Sequence, residues 1–279
     1  MSNSVIGRML RSKIYKEQVG CIAIDEVHLV ADWGQQFRKD FQKLSELNAL
    51  FTDAVHIVVT ATLTPLSMNI LIKDLQLSNP TVIKTNPDRI NIYIEKKTRL
   101  PNVRKFDKFD DLIEPLFLEL KAAKSEFPVT IVYVDGLDCL CYCYQYLDTN
   151  MGSDGYLPAS EPVPETRIFA QYHKIYTNRM KELIVKELRK TNPVLRLVLA
   201  TVALGMGLDA PSVTRVIHFR PPTSLESYMQ EIGRVGRNGQ QAKAILDFKK
   251  SDIASNRPGI TSEMRDYCDN NDTCFVNKC

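Results

Sequence analysis

The sequence predicts an α/β fold built on parallel sheets flanked by helices. Two short apolar runs that each end in polar residues predict it, together with the helical patterns that follow them. The length is compatible: 279 residues, 44% hydrophobic and 25% charged, suit one large domain or two ordinary ones. The same figures exclude a disordered chain, a collagen-like repeat and a disulfide-stapled miniprotein.

Residues 1–19 fit a helix leading into the first strand. Cys21-Ile22-Ala23-Ile24, between Gly20 and Asp25-Glu26, predicts a buried strand ending in paired carboxylates. His56-Ile57-Val58-Val59 predicts another, ending in Thr60-Ala61-Thr62. Pro80, Pro87 and Pro101, set among Asn and Thr, break the pattern over 78–104. The chain is therefore divided into a first unit at 1–95, a second at 96–250 and a polar tail at 251–279. In the second unit a helix around 109–124 precedes a strand at 129–134. A helix carrying Cys139, Cys141 and Cys143 follows, then a surface loop rich in Gly, Pro and Ser at 148–166. A helix at 178–190 and strands at 195–200 and 216–219 complete it. In such sheets ligands sit at the carboxyl ends of the strands.

Net charge is +3, from 36 basic and 33 acidic residues, which by itself demands no nucleic-acid partner. Residues 1–95 hold ten of each sign, so the excess lies beyond them. No apolar run of about eighteen residues occurs, and MSNSVIGRML lacks a signal-peptide core, so an intracellular chain without a membrane segment is expected. Seven cysteines, crowded at 139–143, predict reduced thiols packed in a core.

Four segments carry candidate chemistry. Asp25-Glu26-Val27-His28 follows a strand, where an Asp can hold Mg²⁺ through water and a Glu can orient the water attacking a phosphate. It also fits an exposed acidic helix start. Trp33, the only tryptophan, with Phe37 and Arg38 offers rings for stacking on unpaired bases and a guanidinium for phosphate. Trp33 and Phe37 also fit a buried helical stripe. Gly205, Gly207 and Asp209 would allow close backbone approach and a carboxylate to a ribose hydroxyl, or simply a tight turn. Gln230-Glu231-Ile232-Gly233-Arg234-Val235-Gly236-Arg237-Asn238-Gly239 places two arginines three apart, expected on one face of a helical turn, as a charge clamp for a phosphoryl group.

DEVH, WGQQFR, TAT, QYH, ATVALGMGLDAP and QEIGRVGRNG, in this order and spacing, resemble the RecQ family of DNA helicases from about Gly20 to Cys274. The resemblance implies two RecA-like lobes of P-loop NTPase helicase architecture that close on ATP and Mg²⁺ while single-stranded DNA crosses both. It implies 3′ to 5′ unwinding of DNA and its duplex junctions in recombination and repair, and a nuclear site. On it, Asp25 is the Mg²⁺ carboxylate, Glu26 the catalytic base, and His28 a link toward DNA. Trp33, Phe37 and Arg38 match the aromatic-rich loop, although Gln35 stands where a histidine is usual. Thr60 and Thr62 couple hydrolysis to unwinding. Asp88-Arg89-Ile90-Asn91 resembles the RPN segment, with Ile90 in place of proline. Thr201 faces DNA, Gly207 and Asp209 face the nucleotide, and Gln230, Arg234 and Arg237 form the arginine motif, with Arg237 the finger. The tail around Met264–Cys268, with Cys274, resembles the start of a zinc-binding segment; the cysteine spacing there predicts no complete Zn²⁺ site.

ATP hydrolysis by this machinery needs GxxxxGK followed by Ser or Thr, and no Gly-Lys pair occurs in these 279 residues. With about twenty residues before the first strand, the first lobe is expected to be half present, to expose apolar faces, and to leave ATP hydrolysis very poor. Two classes of function stay open: part of a 3′ to 5′ DNA helicase, or a non-catalytic nucleic-acid-binding or regulatory module. A DEAD-box RNA helicase is disfavoured by WGQQFR and by QEIGRVGRNG.

Overall fold

A computed structural model describes residues 5–27, 44–60, 65–85, 89–99, 109–201, 204 and 210–270. Among the expected site residues, His28, Trp33, Phe37, Arg38, Thr62, Gly207, Asp209 and Cys274 lie outside the described residues. The chain divides into a first unit ending at Asp88 and a second running from Arg89 to Thr273.

The first unit opens with two short helices, α1 (Val5–Leu10) and α2 (Lys13–Gln18), where one was expected. Ser12 divides them. Its hydroxyl donates to the Met9 carbonyl (2.8 Å) and accepts from the Tyr15 N–H (3.4 Å), ending one helix and capping the next. Strands β1 (Cys21–Ile24) and β2 (Val55–Val58) pair in parallel, Cys21 opposite Val55 and Ile24 opposite Val58. They are not buried on both faces as expected. Ile24 and Val58 pack with Val27 against Leu71 and Leu75, of which Leu71 belongs to α3 (Pro65–Asp74). The opposite face leaves Val55 61% and Ile57 46% exposed. A four-residue apolar run does not distinguish a strand covered on one face from one covered on two, and here described helices cover only one.

The second unit holds a six-stranded sheet in the order β3-β8-β7-β4-β6-β5, parallel throughout. Its strands are β3 (Ile92–Thr98), β4 (Thr130–Tyr133), β5 (Phe169–Tyr172), β6 (Leu197–Ala200), β7 (Arg215–His218) and β8 (Ala242–Phe248). Beside them run α4 (Asp110–Ala123), α5 (Leu137–Met151), α6 (Asn178–Leu188), α7 (Leu225–Ile232) and α8 (Ser262–Asp269). Strands β4 and β6, wholly buried, read as unbroken apolar runs because helices cover both faces. On one face Val132, Leu197, Leu199 and Ile217 meet Leu116 and Leu120 of α4 and Leu140 and Cys143 of α5. On the other, His218 touches Tyr228 and Glu231 of α7.

Three features differ from expectation. Strands β3 and β8 were not foreseen; because β3 pairs with β8 along its whole length, residues 89–95 belong to the second unit and the boundary moves from 95 to 88. The segment 148–166 is not simply a surface loop. Helix α5 continues to Met151, which is buried, and the rest closes on itself: the Leu157 N–H donates to the Thr166 carbonyl (2.8 Å) and Ile168 N–H to the Gly155 carbonyl (3.0 Å). Arg167 fastens it, its guanidinium lying 4.5 Å from the Phe169 ring centroid and 5.3 Å from that of Tyr144, and pairing with Asp148. Cys139 and Cys143 are core residues of α5 with sulfurs 4.0 Å apart, while Cys141 faces solvent.

Candidate functional site

In the first unit the register of β1 on β2 brings Asp25, Glu26 and Thr60 to one sheet edge. The Val59 N–H donates to the Ile24 carbonyl (2.9 Å) and the Val27 N–H to the Val59 carbonyl (3.3 Å), so the two strand ends are stitched together. Both carboxylates are exposed. Glu26 adopts φ 52°, a left-handed conformation that costs a non-glycine residue about 1 kcal/mol, and its N–H donates to Asp25 Oδ1 (2.7 Å). A carboxylate pair held on a strained turn at a strand end suits a cation. Among the described residues no group of three His, Cys, Asp or Glu side chains is placed to hold a metal ion. In the tail, Cys268 is buried, and burial pushes its thiol up to about 12.

The arginine-bearing segment of the second unit departs from the expected helical turn. Helix α7 stops at Ile232, and the chain then turns through Gly236 at φ +62°. Arg234 and Arg237 consequently do not share a helical face: Arg234 is buried and Arg237 is exposed. Gln230 stays on α7, partly buried. Two residues ahead of β3 hold the turn. Arg89 Nη2 donates to the Gly236 carbonyl (2.6 Å) and to that of Val235 (3.3 Å). Asn91 Nδ2 donates to the carbonyls of Gly236 and Gln240, both at 2.8 Å. A Cβ at Gly236 would lie 2.5 Å from Asn91 Nδ2 and 2.9 Å from the Gln240 oxygen, so nothing larger than glycine fits.

Behind the turn lies a buried polar cluster that the sequence reading did not assign. His218, at the end of β7, and Glu231, on α7, meet at 2.8 Å. The imidazole is enclosed by Tyr133, stacked at 5.0 Å, and Tyr228, edge-on at 5.1 Å. Burial pushes the Tyr133 phenol up, the Glu231 charge adds to this, and the Arg234 guanidinium opposes it. The legible signal was a glutamate at a position of α7 that its neighbours Tyr228 and Ile232 mark as inward-facing.

Because all six strands run the same way, their carboxyl ends share one edge. Thr201 sits there, its N–H donating to the Tyr172 carbonyl (3.1 Å). A chain of charges also runs along that edge. Arg220 pairs with Asp135 and, at 3.0 Å, with buried Asp252; Arg99 pairs with Asp247 and donates to the Phe219 carbonyl (2.8 Å); Arg257 reaches Asp135 at 3.3 Å. This network fixes the start of the tail to the sheet.

His173, of the QYH triplet, is buried beside Tyr176. Burial first, and then the Lys181 charge, lower its affinity for a proton. The unfolded chain takes up that proton near pH 6.5 and the folded chain only at lower pH, so this contribution to stability is present above about pH 6.5 and is lost as pH falls below it. His173→Gln is expected to flatten that part of a melting-temperature profile measured between pH 5 and 8.

Comparisons with known proteins fit this geometry. Residues 119–239 match the helicase conserved C-terminal domain family. The chain is 28% identical over 243 residues to the ATP-dependent helicase SGS1 of Saccharomyces cerevisiae, covering 87% of this chain and 15% of that protein. It is 29% identical over 238 residues to the ATP-dependent DNA helicase RecQ of Pasteurella multocida, covering 85% and 33%. It thus spans a third or less of the length of these two curated relatives. Among solved structures, Mycobacterium smegmatis helicase Lhr bound to ssDNA and AMP-PNP aligns with 88% of this chain and 31% of its own, with a TM-score of 0.65 and 22% identity. S. cerevisiae Dbp5 bound to RNA and ADP BeF3 aligns with 86% and 57%, with a TM-score of 0.55 and 21% identity. At such identities these structures speak to the fold, a RecA-like one. With a match to the helicase conserved C-terminal domain over residues 119–239 of its second unit and relatives of RecQ type over most of its length, the chain is similar to the RecQ-like helicases.

Proposed function

We propose that this chain is part of an ATP-driven DNA helicase of 3′ to 5′ polarity. The observation that carries this reading is the turn that holds Arg237 out to solvent from a fixed loop at α7, where a guanidinium can meet a nucleotide phosphate in its transition state. Asp25 and Glu26, on their strand-end turn, fit the roles of metal carboxylate and base, and Thr60 lies beside them. ATP with Mg²⁺ is the nucleotide this set would serve. Thr201, at the carboxyl edge of the second unit's sheet, suits a DNA backbone. Junctions with a single-stranded 3′ tail are the preferred substrate.

The 279 residues hold no Gly-Lys pair to cradle the β- and γ-phosphates, and positioning supplies most of phosphoryl-transfer catalysis. The chain alone is therefore expected to bind a 3′-tailed DNA duplex in preference to structured RNA, with DNA-stimulated ATPase near background. Robust turnover that disappears in Glu26→Gln would refute the second half of this expectation. Preference for structured RNA would refute the first.

A further inference from the structure

We infer that Arg89 and Asn91 are positioning residues for the arginine loop, clamping the one turn that decides where Arg237 points. The Gly236 carbonyl is the anchor. It accepts from Arg89 Nη2 at 2.6 Å, from Asn91 Nδ2 at 2.8 Å and from the Gly239 N–H at 3.0 Å. Two of these three donors come from side chains about 145 residues away in sequence. Asn91 also bridges Gly236 to Gln240, and its own carbonyl accepts the Ala242 N–H at 2.9 Å, so one residue closes both ends of the turn and pins it to the start of β8.

The arrangement is particular to Asn and Arg. The Asn91 amide must offer N–H groups to two carbonyls while its backbone holds β8, and the Arg89 guanidinium reaches two successive carbonyls. Gly236 has no Cβ, which gives Asn91 Nδ2 room to sit 2.8 Å from its carbonyl. Ile90, between them, is 95% exposed and contributes nothing to the clamp. Arg89 is the first residue of the second unit, so the loop's fastening begins where the chain enters that unit.

The role rests on the reading of Arg237 as the phosphate-facing residue, but the clamp can be tested without nucleotide. Amide hydrogen exchange of the whole chain would be followed in the peptide 233–241, with 137–151 in α5 as the internal reference. Arg89→Ala and the isosteric Asn91→Asp each remove donors to the Gly236 carbonyl, so exchange at 233–241 should accelerate about fivefold, the equivalent of about 1 kcal/mol, while α5 keeps its protection. Arg89→Lys, which retains one donor for Gly236, should restore part of the loss. Unchanged protection at 233–241, or acceleration spread evenly over the second unit, would overturn the inference. Failure of the wild-type chain to bind DNA would sink the functional reading and leave the exchange pattern standing.

Discussion

Gly236→Ala is expected to lower the thermal midpoint of the second unit by about 6–12 °C, the equivalent of about 3 kcal/mol in a unit of this size. Two independent causes act together. The backbone is left-handed at φ +62°, which costs an alanine about 1 kcal/mol. The added methyl would also sit 2.5 Å from Asn91 Nδ2, 2.9 Å from the Gln240 oxygen and 3.1 Å from Ala242 Cβ, and two of these three neighbours are part of the backbone or rooted at its Cβ. Gly239→Ala is the matched control, for Gly239 is also left-handed at φ +80° but has open space where a Cβ would go. Its cost should be near 1 kcal/mol from strain alone. Calorimetry on both variants separates crowding from strain; equal shifts would show that the clamp exerts no pressure on the turn.

Asp252→Ala is expected to cost more, about 4 kcal/mol, read as a fall of about 8–16 °C in the same midpoint. Asp252 is 4% exposed. Its carboxylate accepts the Lys249 N–H at 2.8 Å, pairs with Arg220 at 3.0 Å and lies 3.9 Å from Arg99. Removing it leaves Arg220 with Asp135 alone, and Arg99, only 14% exposed, with Asp247 alone. Asp252→Asn keeps an acceptor for Lys249 and should lose about half as much. Limited proteolysis should then cut first between residues 251 and 261, since the network no longer holds the tail's start. A midpoint within about 1 °C of wild type would show that solvent replaces the network at no cost.

The fold class was legible because β4 and β6 are fully covered, and full coverage leaves its mark as an unbroken apolar run at 131–134 and 197–200. Strand β3 left no such mark. Its sequence IYIEKKT carries Glu95, Lys96 and Lys97 because it is an edge strand whose charges find partners sideways: Lys243 reaches Glu95 at 2.8 Å and holds its carboxyl below the usual range. Local pattern cannot reveal a partner that arrives 150 residues later. The geometry of the arginine motif was misread, since helical spacing of Arg234 and Arg237 holds only while the helix continues, and it ends at Ile232. Sequence spacing placed Asp25, Glu26 and Thr60 at strand ends, where they are found. It could not show that Arg89 and Asn91 reach the same loop as Arg237, because that contact depends on the strand order.

That strand order also governs time. In an all-parallel sheet every pairing closes a long loop, and β3 has a single neighbour, β8, with Ile92 opposite Ala242. A chain made from its amino terminus must carry β3, Arg89 and Asn91 unpaired through the synthesis and collapse of β4 to β7. The clamp at Gly236 thus cannot close until residues 235–242 have been made, about 145 residues after Arg89 and Asn91.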